Sequence, residues 1–141
     1  MIDNALVKEK ALEFLNQSKL MTLATSVNDS PWAVTVNYAV TINNRLLFFS
    51  GPATRHCQDL LKNPQVAVAI RGENLKKRQI KGIQLIGTAR KAAAKQLSVF
   101  KKRHAWVDDY PDHELYEIIP DGLYYFDSDL FGHYFKVEVK L

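Results

Sequence analysis

The sequence predicts a mainly β (α+β) protein, a β-barrel that carries a few short helices. Many short segments rich in β-branched and aromatic residues are separated by turn-forming residues, which is typical of antiparallel barrels. From Trp32 to Asn43, large apolar residues alternate with small or polar ones, whereas strands of a doubly wound parallel sheet are continuously apolar. No internal repeat, low-complexity segment or linker interrupts the 141 residues, so we expect a single domain over 1–141.

The N-terminal segment predicts one amphipathic helix that covers the core. Asp3 and Asn4 are residue types that favour a helix N-cap. Apolar residues then recur at the i, i+4, i+7 and i+8 positions of a single helical face. These residues are Val7, Ala11, Phe14 and Leu15.

Three consecutive antiparallel strands are predicted next. The uncharged, β-branched segment Leu20–Val27 is followed by a turn of the usual turn formers, Asn28–Pro31. The alternation from Trp32 to Ile42 then predicts a long strand with one apolar face. Asn43-Asn44 supports a tight hairpin into a strand over Arg45–Ser50, because asparagine tolerates positive φ.

A short helix is predicted after the turn at Gly51-Pro52. Thr54 suits its N-cap, and Pro64 disfavours helical geometry at Asn63, where we expect the helix to end. One face of this helix is apolar at the i, i+3 and i+4 positions. The residues on that face are Cys57, Leu60 and Leu61.

The start of this short helix predicts an anion site. The first turn of a helix has backbone N–H groups without intrahelical acceptors. Arg55 adds a fixed cation and His56 a titratable imidazole beside them. A phosphate is the ligand that such an arrangement suits best.

The C-terminal half predicts further strands and a second helix. Gly82 and Gly87 mark bulges or close backbone approaches within a strand over Gln79–Lys91. The alanine- and lysine-rich segment Ala92–Trp106 predicts the helix. The other predicted strands are Gln65–Ile70, Glu114–Ile119, Leu123–Phe126 and Tyr134–Val139.

Composition and charge argue against several classes of protein. The net charge is +4, but the basic clusters at Lys76–Lys81 and Lys101–Arg103 contain no interleaved aromatic residues, so we expect solvated surface rather than nucleic-acid binding. The longest uncharged run, Ser30–Asn44, is too short and polar to span a bilayer, and a cytoplasmic protein is expected. Cys57 is the only cysteine, which excludes an internal disulfide.

Familiar catalytic and metal-binding motifs are absent from the sequence. It contains no GxSxG, HExxH, P-loop or GxGxxG pattern. Cys57 is better explained as a small buried hydrophobe than as a nucleophile. The spacing of His104, His113 and His133 is not that of metal ligands, so no metal site is predicted.

Three phrases of the sequence, taken in order, carry a family resemblance. They are LATSVNDSPWAVTVNYAV, LLFFSGPATRHCQDLLKNPQVAVAI and IKGIQLIGTARKA, which together cover about Leu20 to Ala92. The chain resembles the pyridoxamine 5′-phosphate oxidase-like proteins, the FMN-binding split barrels. The phrase from Phe126 to His133 looks like the closing segment of a small bacterial branch of that superfamily. The resemblance implies a six-stranded antiparallel split barrel and a homodimer with FMN in clefts at the subunit interface.

The resemblance also implies a set of cofactor-binding residues. Thr54, Arg55 and His56 fall on the Ser/Thr-Arg-Lys phrase that holds the FMN phosphate, with histidine in place of lysine. The charge of His56 is therefore expected to depend on pH near neutrality. Phe49-Ser50 falls on the strand end beside the phosphate and ribityl chain. The residues that the resemblance assigns to the isoalloxazine ring are Thr35, Val36, Asn37 and Gln84.

The predicted function is that of an FMN-binding oxidoreductase or flavin reductase-like protein acting on an unidentified small substrate. No catalytic acid or base is identified, because the chemistry of such proteins belongs to the flavin. A true pyridoxamine phosphate oxidase is not expected: no arginine follows Arg103, and in those enzymes basic substrate-binding residues lie in a longer C-terminal region. The alternative is a non-catalytic flavin- or haem-binding or sensing module, with His104 or His133 as an axial haem ligand. The phosphate pocket alone does not distinguish FMN from the deazaflavin F420.

Overall fold

The structure is a computed structural model that describes residues 3–133 and 135–141. In these residues the protein has seven antiparallel strands and four short helices. The strands are Leu20–Val27 (β1), Ser30–Val40 (β2), Leu46–Ser50 (β3), Gln65–Arg71 (β4), Lys81–Lys91 (β5), Glu114–Asp127 (β6) and Val137–Val139 (β7). The helices are Asn4–Gln17 (α1), Arg55–Lys62 (α2), Leu97–Arg103 (α3) and Ser128–Phe131 (α4). Two 3-10 turns, Ala94–Gln96 and Ala105–Asp109, flank α3.

Six of the strands close into a barrel. Their order is β3-β2-β1-β4-β5-β6, and β3 pairs with β6 from Leu46↔Ile118 to Ser50↔Glu114. The C-terminal half of β6 carries β7 as an extra strand. The predicted six-stranded antiparallel barrel is therefore confirmed, with one further strand at its side.

Helix α1 contributes its predicted apolar face to the barrel core. Asp3 caps the helix by accepting a hydrogen bond from the backbone N–H of Ala5, and the four predicted residues of the face are buried. They pack with aromatic side chains such as Phe48 and Tyr125 in one cluster. Burying a side chain such as Phe14 stabilises a fold by roughly 1.5–3 kcal/mol. The predicted covering role of α1 is confirmed.

A second, smaller core lies outside the barrel under α3. Phe100 and Val107 are buried there against Leu47 of β3. The helix predicted over Ala92–Trp106 is wrong in its length, because α3 spans only seven residues. The helix ends at His104, which has φ −133° and turns its ring inward to donate from Nε2 to the Tyr38 carbonyl oxygen at 2.7 Å.

Three apolar residues predicted to face the core are exposed, namely Trp32, which is 43% exposed beside Arg55, Ile42 and Leu61. Ile42 lies in the turn between β2 and β3. There the Thr41 hydroxyl oxygen accepts a hydrogen bond from the Arg45 N–H, and the turn does not take part in β-sheet pairing. Leu61 is 58% exposed on α2, whereas Cys57 and Leu60 are buried as predicted. The buried face of α2 consists of His56, Cys57, Asp59 and Leu60, so Leu61 lies beyond its edge and is exposed to solvent.

The break predicted between two tail strands is also wrong, because β6 continues through Pro120 and Gly122. The pairing of β6 with β3 stops at Ile118, and its pairing with β7 starts at Leu123. Pro120 therefore lies where β6 has a neighbour on one side only, and a proline is tolerated there. The register shift opposite Gly87 absorbs the extra residue. The last predicted strand is shortened to β7, and its predicted first residue, Tyr134, lies outside the described residues.

Close backbone approaches explain both glycines of β5. A Cβ atom on Gly82 would lie 2.4 Å from the carbonyl oxygen of Ile70. One on Gly87 would lie 2.6 Å from that of Ile119, at the predicted bulge. Among the residues that the structure describes, no helix has the length and apolar character needed to cross a membrane.

Candidate functional site

The start of α2 has the capped geometry that the sequence predicts. Thr54 is extended, with φ −64° and ψ 153°, and its hydroxyl oxygen accepts from the backbone N–H of Cys57 at 3.4 Å. The same hydroxyl donates to the Gly51 carbonyl oxygen at 2.8 Å, which ties the helix to the preceding turn. The backbone N–H groups of Arg55 and His56, in the first turn, have no intrahelical acceptor. They are the donors available to an anion.

Arg55 is half exposed and is held on three sides. Its Nη2 donates to the Ser30 hydroxyl oxygen at 3.0 Å, and its Nε lies 3.6 Å from Asp59 Oδ2. Its Cζ lies 4.3 Å from the ring centroid of Trp32. With 45% of its side chain exposed, the guanidinium still has donors facing solvent.

His56 is buried, and its ring faces the protein. Its Nε2 lies 3.0 Å from the Ser50 hydroxyl and 3.4 Å from that of Thr54. Burial lowers the pKa of His56 below its ordinary value of 6.5, and the nearby Asp59 carboxylate offsets part of this effect. The imidazole is therefore neutral at neutral pH. It becomes charged only at a more acidic pH than the sequence predicts for this histidine.

Phe49 and Ser50 end β3 on opposite faces. Ser50 is buried beside His56. Phe49 packs instead in an aromatic group, with ring-centroid distances of 5.8 Å to Phe100 and 5.4 Å to His113. Of the two predicted residues, only Ser50 lies in the hydrogen-bond network at the start of α2.

Thr35, Asn37 and Gln84 lie on the outer face of the barrel. Cross-strand pairing connects Thr35 to Thr22, Thr22 to Ala69 and Ala69 to Gln84, and paired residues share one face of a sheet. Val36 points the other way and packs against the core.

A groove of about 540 Å³ crosses this outer face. Its floor is made of small side chains, which leave a flat surface: Thr22, Ala24, Ala67 and Ala69. Gln84, Tyr124 and Lys136 provide its polar and aromatic groups. The Lys136 Nζ donates to Gln84 Oε1 at 3.3 Å and lies 4.7 Å from the ring centroid of Tyr124. The Gln84 amide NH₂ is thus left to donate to a ligand.

The predicted cofactor residues therefore form two parts on opposite faces of β2. Arg55 contacts Ser30 and Trp32, which point to one face of the strand, and Thr35 and Asn37 point to the other. The structure brings Ser50, Thr54, Arg55 and His56 together at the start of α2. Gln84 belongs with the outer groove.

The two histidines considered as haem ligands differ in accessibility. His104 is buried, and burial lowers its pKa. His133 is exposed beside a cavity of about 270 Å³, and its Nε2 donates to the Arg78 carbonyl oxygen at 2.6 Å. Within the described ranges, no cluster of three or more His, Cys, Asp or Glu side chains has a metal-binding arrangement.

Sequence reasoning missed several residues that organise the site. Asp59, Ser30 and Trp32 hold Arg55, and Lys136 holds Gln84. The sequence indicates one of these contacts, because Arg55 and Asp59 have opposite charges and lie four residues apart on a helix, where such residues pair. The contacts across the barrel depend on tertiary structure and leave no local pattern.

Comparison with known proteins assigns the family. A sequence model described as "Pyridoxamine 5'-phosphate oxidase" matches residues 7–126. The chain belongs to the pyridoxamine 5′-phosphate oxidase family. The resemblance seen in the sequence is confirmed, and the barrel is the split barrel of this family.

Individual proteins are similar to this chain at low sequence identity. The UPF0306 protein PM1958 of Pasteurella multocida is 26% identical over 106 residues, which cover 74% of this chain and 70% of the relative. A haem-binding protein from Mycobacterium smegmatis superposes with a TM-score of 0.78 at 18% identity, over 99% of this chain and 59% of that protein. A FAD-binding protein from Mesorhizobium loti gives a TM-score of 0.70 at 18% identity, over 82% and 88%. At this identity the two structures show the fold alone.

Proposed function

We propose that this protein binds FMN, with the phosphate at the start of α2. The observation that carries the proposal is the half-exposed Arg55 guanidinium beside two helix amides without intrahelical acceptors. The interaction of an anion with the N-terminus of a helix contributes about 0.3–1 kcal/mol to binding. A charge-assisted bond from Arg55 adds about 1.5–3 kcal/mol.

The residues present fit this group. The phosphate needs a cation and donors, which Arg55 and the first-turn amides supply, while neutral His56 adds no charge. A planar ring needs a flat surface and hydrogen bonds at its edge, and the outer groove offers small side chains with the Gln84 amide. Flavin supplies electron transfer when bound, and the chain's residues bind and orient it.

We further propose that two copies of the chain complete the site. The two parts of the predicted set lie on opposite faces of β2, so a ligand that uses both is accommodated most simply between protomers. The outer groove supports an interface, because it has a small-residue floor and an Ile86 side chain that is 59% exposed. A homodimer places this face of one protomer against the Arg55 region of its partner.

The activity that follows is that of a flavin-dependent oxidoreductase or flavin reductase-like protein acting on a small substrate. Membership of the pyridoxamine 5′-phosphate oxidase family supports a flavin, and the FAD-binding relative supports the same ring system. The haem-binding relative supports the alternative of a haem-binding module, for which His133 is the accessible ligand.

The first prediction tests the phosphate assignment. Purified protein incubated with FMN is expected to show bound flavin that absorbs at about 450 nm. Arg55→Ala is expected to weaken FMN binding by roughly 10- to 100-fold, because it removes the charge-assisted bond. Lys62→Ala is the matched control, since Lys62 is an exposed cation at the other end of the same helix.

Two results would contradict this proposal. Equal FMN affinity in wild type and Arg55→Ala would remove the phosphate from the start of α2. No FMN binding by wild type, together with a haem absorbance band on adding haemin that is lost in His133→Ala, would favour the haem module instead.

A further inference from the structure

Asp59 is a buried acid that no part of the proposed cofactor set includes. Asp59 is 9% exposed, and its Oδ2 accepts a hydrogen bond from the Thr25 hydroxyl on β1 at 2.8 Å. The same oxygen lies 3.6 Å from Arg55 Nε, one helical turn earlier on α2. A buried carboxylate is costly unless it is paired and hydrogen-bonded. The Thr25 hydroxyl hydrogen-bonds this oxygen, and Arg55 forms an ion pair with it.

Three groups surround the Arg55 guanidinium. Its Nε lies within ion-pair distance of Asp59 Oδ2, its Nη2 donates to the Ser30 hydroxyl oxygen, and its Cζ lies 4.3 Å from the Trp32 ring centroid. A guanidinium has five N–H donors in a rigid fork. The contacts with Asp59, Ser30 and Trp32 restrict the guanidinium, so its remaining N–H donors have a fixed orientation.

The charges around Arg55 make the orientation of its guanidinium more important for anion binding than net electrostatic attraction. The formal charges of Arg55 and Asp59 cancel (+1 and −1), and His56 is neutral because burial lowers its pKa. An anion at the start of α2 is therefore selected by aligned donors rather than by excess positive charge.

We propose that Asp59, held by Thr25, is the positioning residue that orients Arg55 for phosphate binding. This inference rests on the proposed FMN phosphate site and identifies the residue that pre-organises it. Pre-organisation raises affinity because the side chain is already ordered before the ligand arrives. The ligand chemistry it selects is a phosphate group that accepts two parallel bonds from a fixed fork.

A double-mutant cycle measures this coupling. FMN dissociation constants are determined by flavin fluorescence for wild type, Asp59→Asn, Arg55→Ala and the double variant. Asp59→Asn keeps the side-chain shape and an acceptor for Thr25, and we expect it to weaken FMN binding by about 3- to 10-fold. In the Arg55→Ala background the same change is expected to have no further effect. Arg55→Lys, which keeps the charge and loses the fork, is expected to bind as weakly as Arg55→Ala.

The orientation of Arg55 is also measurable without any ligand. The Arg55 Nε–Hε signal in a ¹H–¹⁵N spectrum, assigned by its loss in Arg55→Ala, is expected to be dispersed in wild type. In Asp59→Asn it is expected to move to the position of free arginine side chains. Arg45 and Arg90, which pair with Glu117, are internal controls whose signals should stay in place.

The two measurements separate the failure of this inference from that of the proposed function. Unchanged FMN affinity in Asp59→Asn, or an equal loss in both backgrounds, overturns the positioning role. An Arg55 Nε–Hε signal that does not move in Asp59→Asn overturns it as well. Absence of FMN binding by wild type contradicts the proposed function, and the ¹H–¹⁵N measurement still decides whether Asp59 orients Arg55.

Discussion

The imidazoles of His56 and His104 are both buried in hydrogen-bond networks of the fold. His56 lies against Ser50, and His104 donates to the Tyr38 carbonyl oxygen. Desolvation is the main cause that lowers the pKa of each below 6.5. Histidine, which titrates near neutrality when exposed, is here used as a neutral structural group.

Stability is accordingly predicted to fall in mild acid. The unfolded chain takes up protons at these two histidines at a higher pH than the folded chain does, so the free energy of unfolding decreases as pH falls through 6.5. Urea denaturation between pH 8 and pH 5 measures the slope. His56→Gln and His104→Gln should each flatten it, and His133→Gln controls for removing an exposed imidazole. An unchanged slope in both buried variants would contradict the assignment.

Two glycines of β5 each allow one neighbouring strand to approach closely. The backbone of β4 reaches Gly82 from one side, and the backbone of β6 reaches Gly87 from the other. The first atom that each Cβ would meet is a backbone carbonyl oxygen of a paired strand, so the space cannot be recovered by moving a flexible side chain.

Alanine at either glycine is predicted to destabilise the barrel. A Cβ at Gly82 or Gly87 meets a carbonyl oxygen at 2.4 or 2.6 Å, and the forced shift is expected to cost about 1–3 kcal/mol. Chemical denaturation measures the loss. Gly122→Ala is the control, because its nearest atom lies 4.0 Å away. A loss as large in Gly122→Ala would mean that conformational freedom rather than space explains the glycines.

Local chemistry allowed most elements to be predicted from the sequence. The caps at Asp3 and Thr54 and the alternation of β2 act within a few residues, so the pattern determines the structure. Tertiary contacts decided the errors. Pro120 is tolerated because β6 has a single neighbour there, which depends on where β3 ends and β7 begins. A one-dimensional pattern does not contain that information.

The candidate site was only partly predictable from the sequence, because the closure of the barrel determines which of its residues are buried and which lie together. Family phrases placed Thr54, Arg55 and His56 at one helix start, and the structure keeps them together. The burial of His56 and the separation of Gln84 from Arg55 arise from how β1, β2 and β5 curve around the core. Asp59 and Lys136 act through contacts made only in the closed barrel.

Association through the outer groove is predicted at this same scale. Light scattering of the wild-type protein is expected to give twice the 16.1 kDa chain mass. Ile86→Glu should give the mass of one chain, because it buries an unpaired charge in the proposed interface. Ile42→Glu, at a fully exposed turn outside the groove, is the control. A wild-type monomer, or an Ile86→Glu dimer, would contradict the interface.

The pairing of β3 with β6 joins residues about 70 positions apart in the chain, such as Leu46 and Ile118. Contacts of such long sequence separation are slow to form, because a large loop must be ordered before they stabilise anything. The contacts around Arg55 need only β1, the start of β2 and α2, a stretch from Thr25 to Asp59. During refolding, the phosphate-facing half of the site can thus assemble before the barrel closes, and the groove around Gln84 must wait for the last strands.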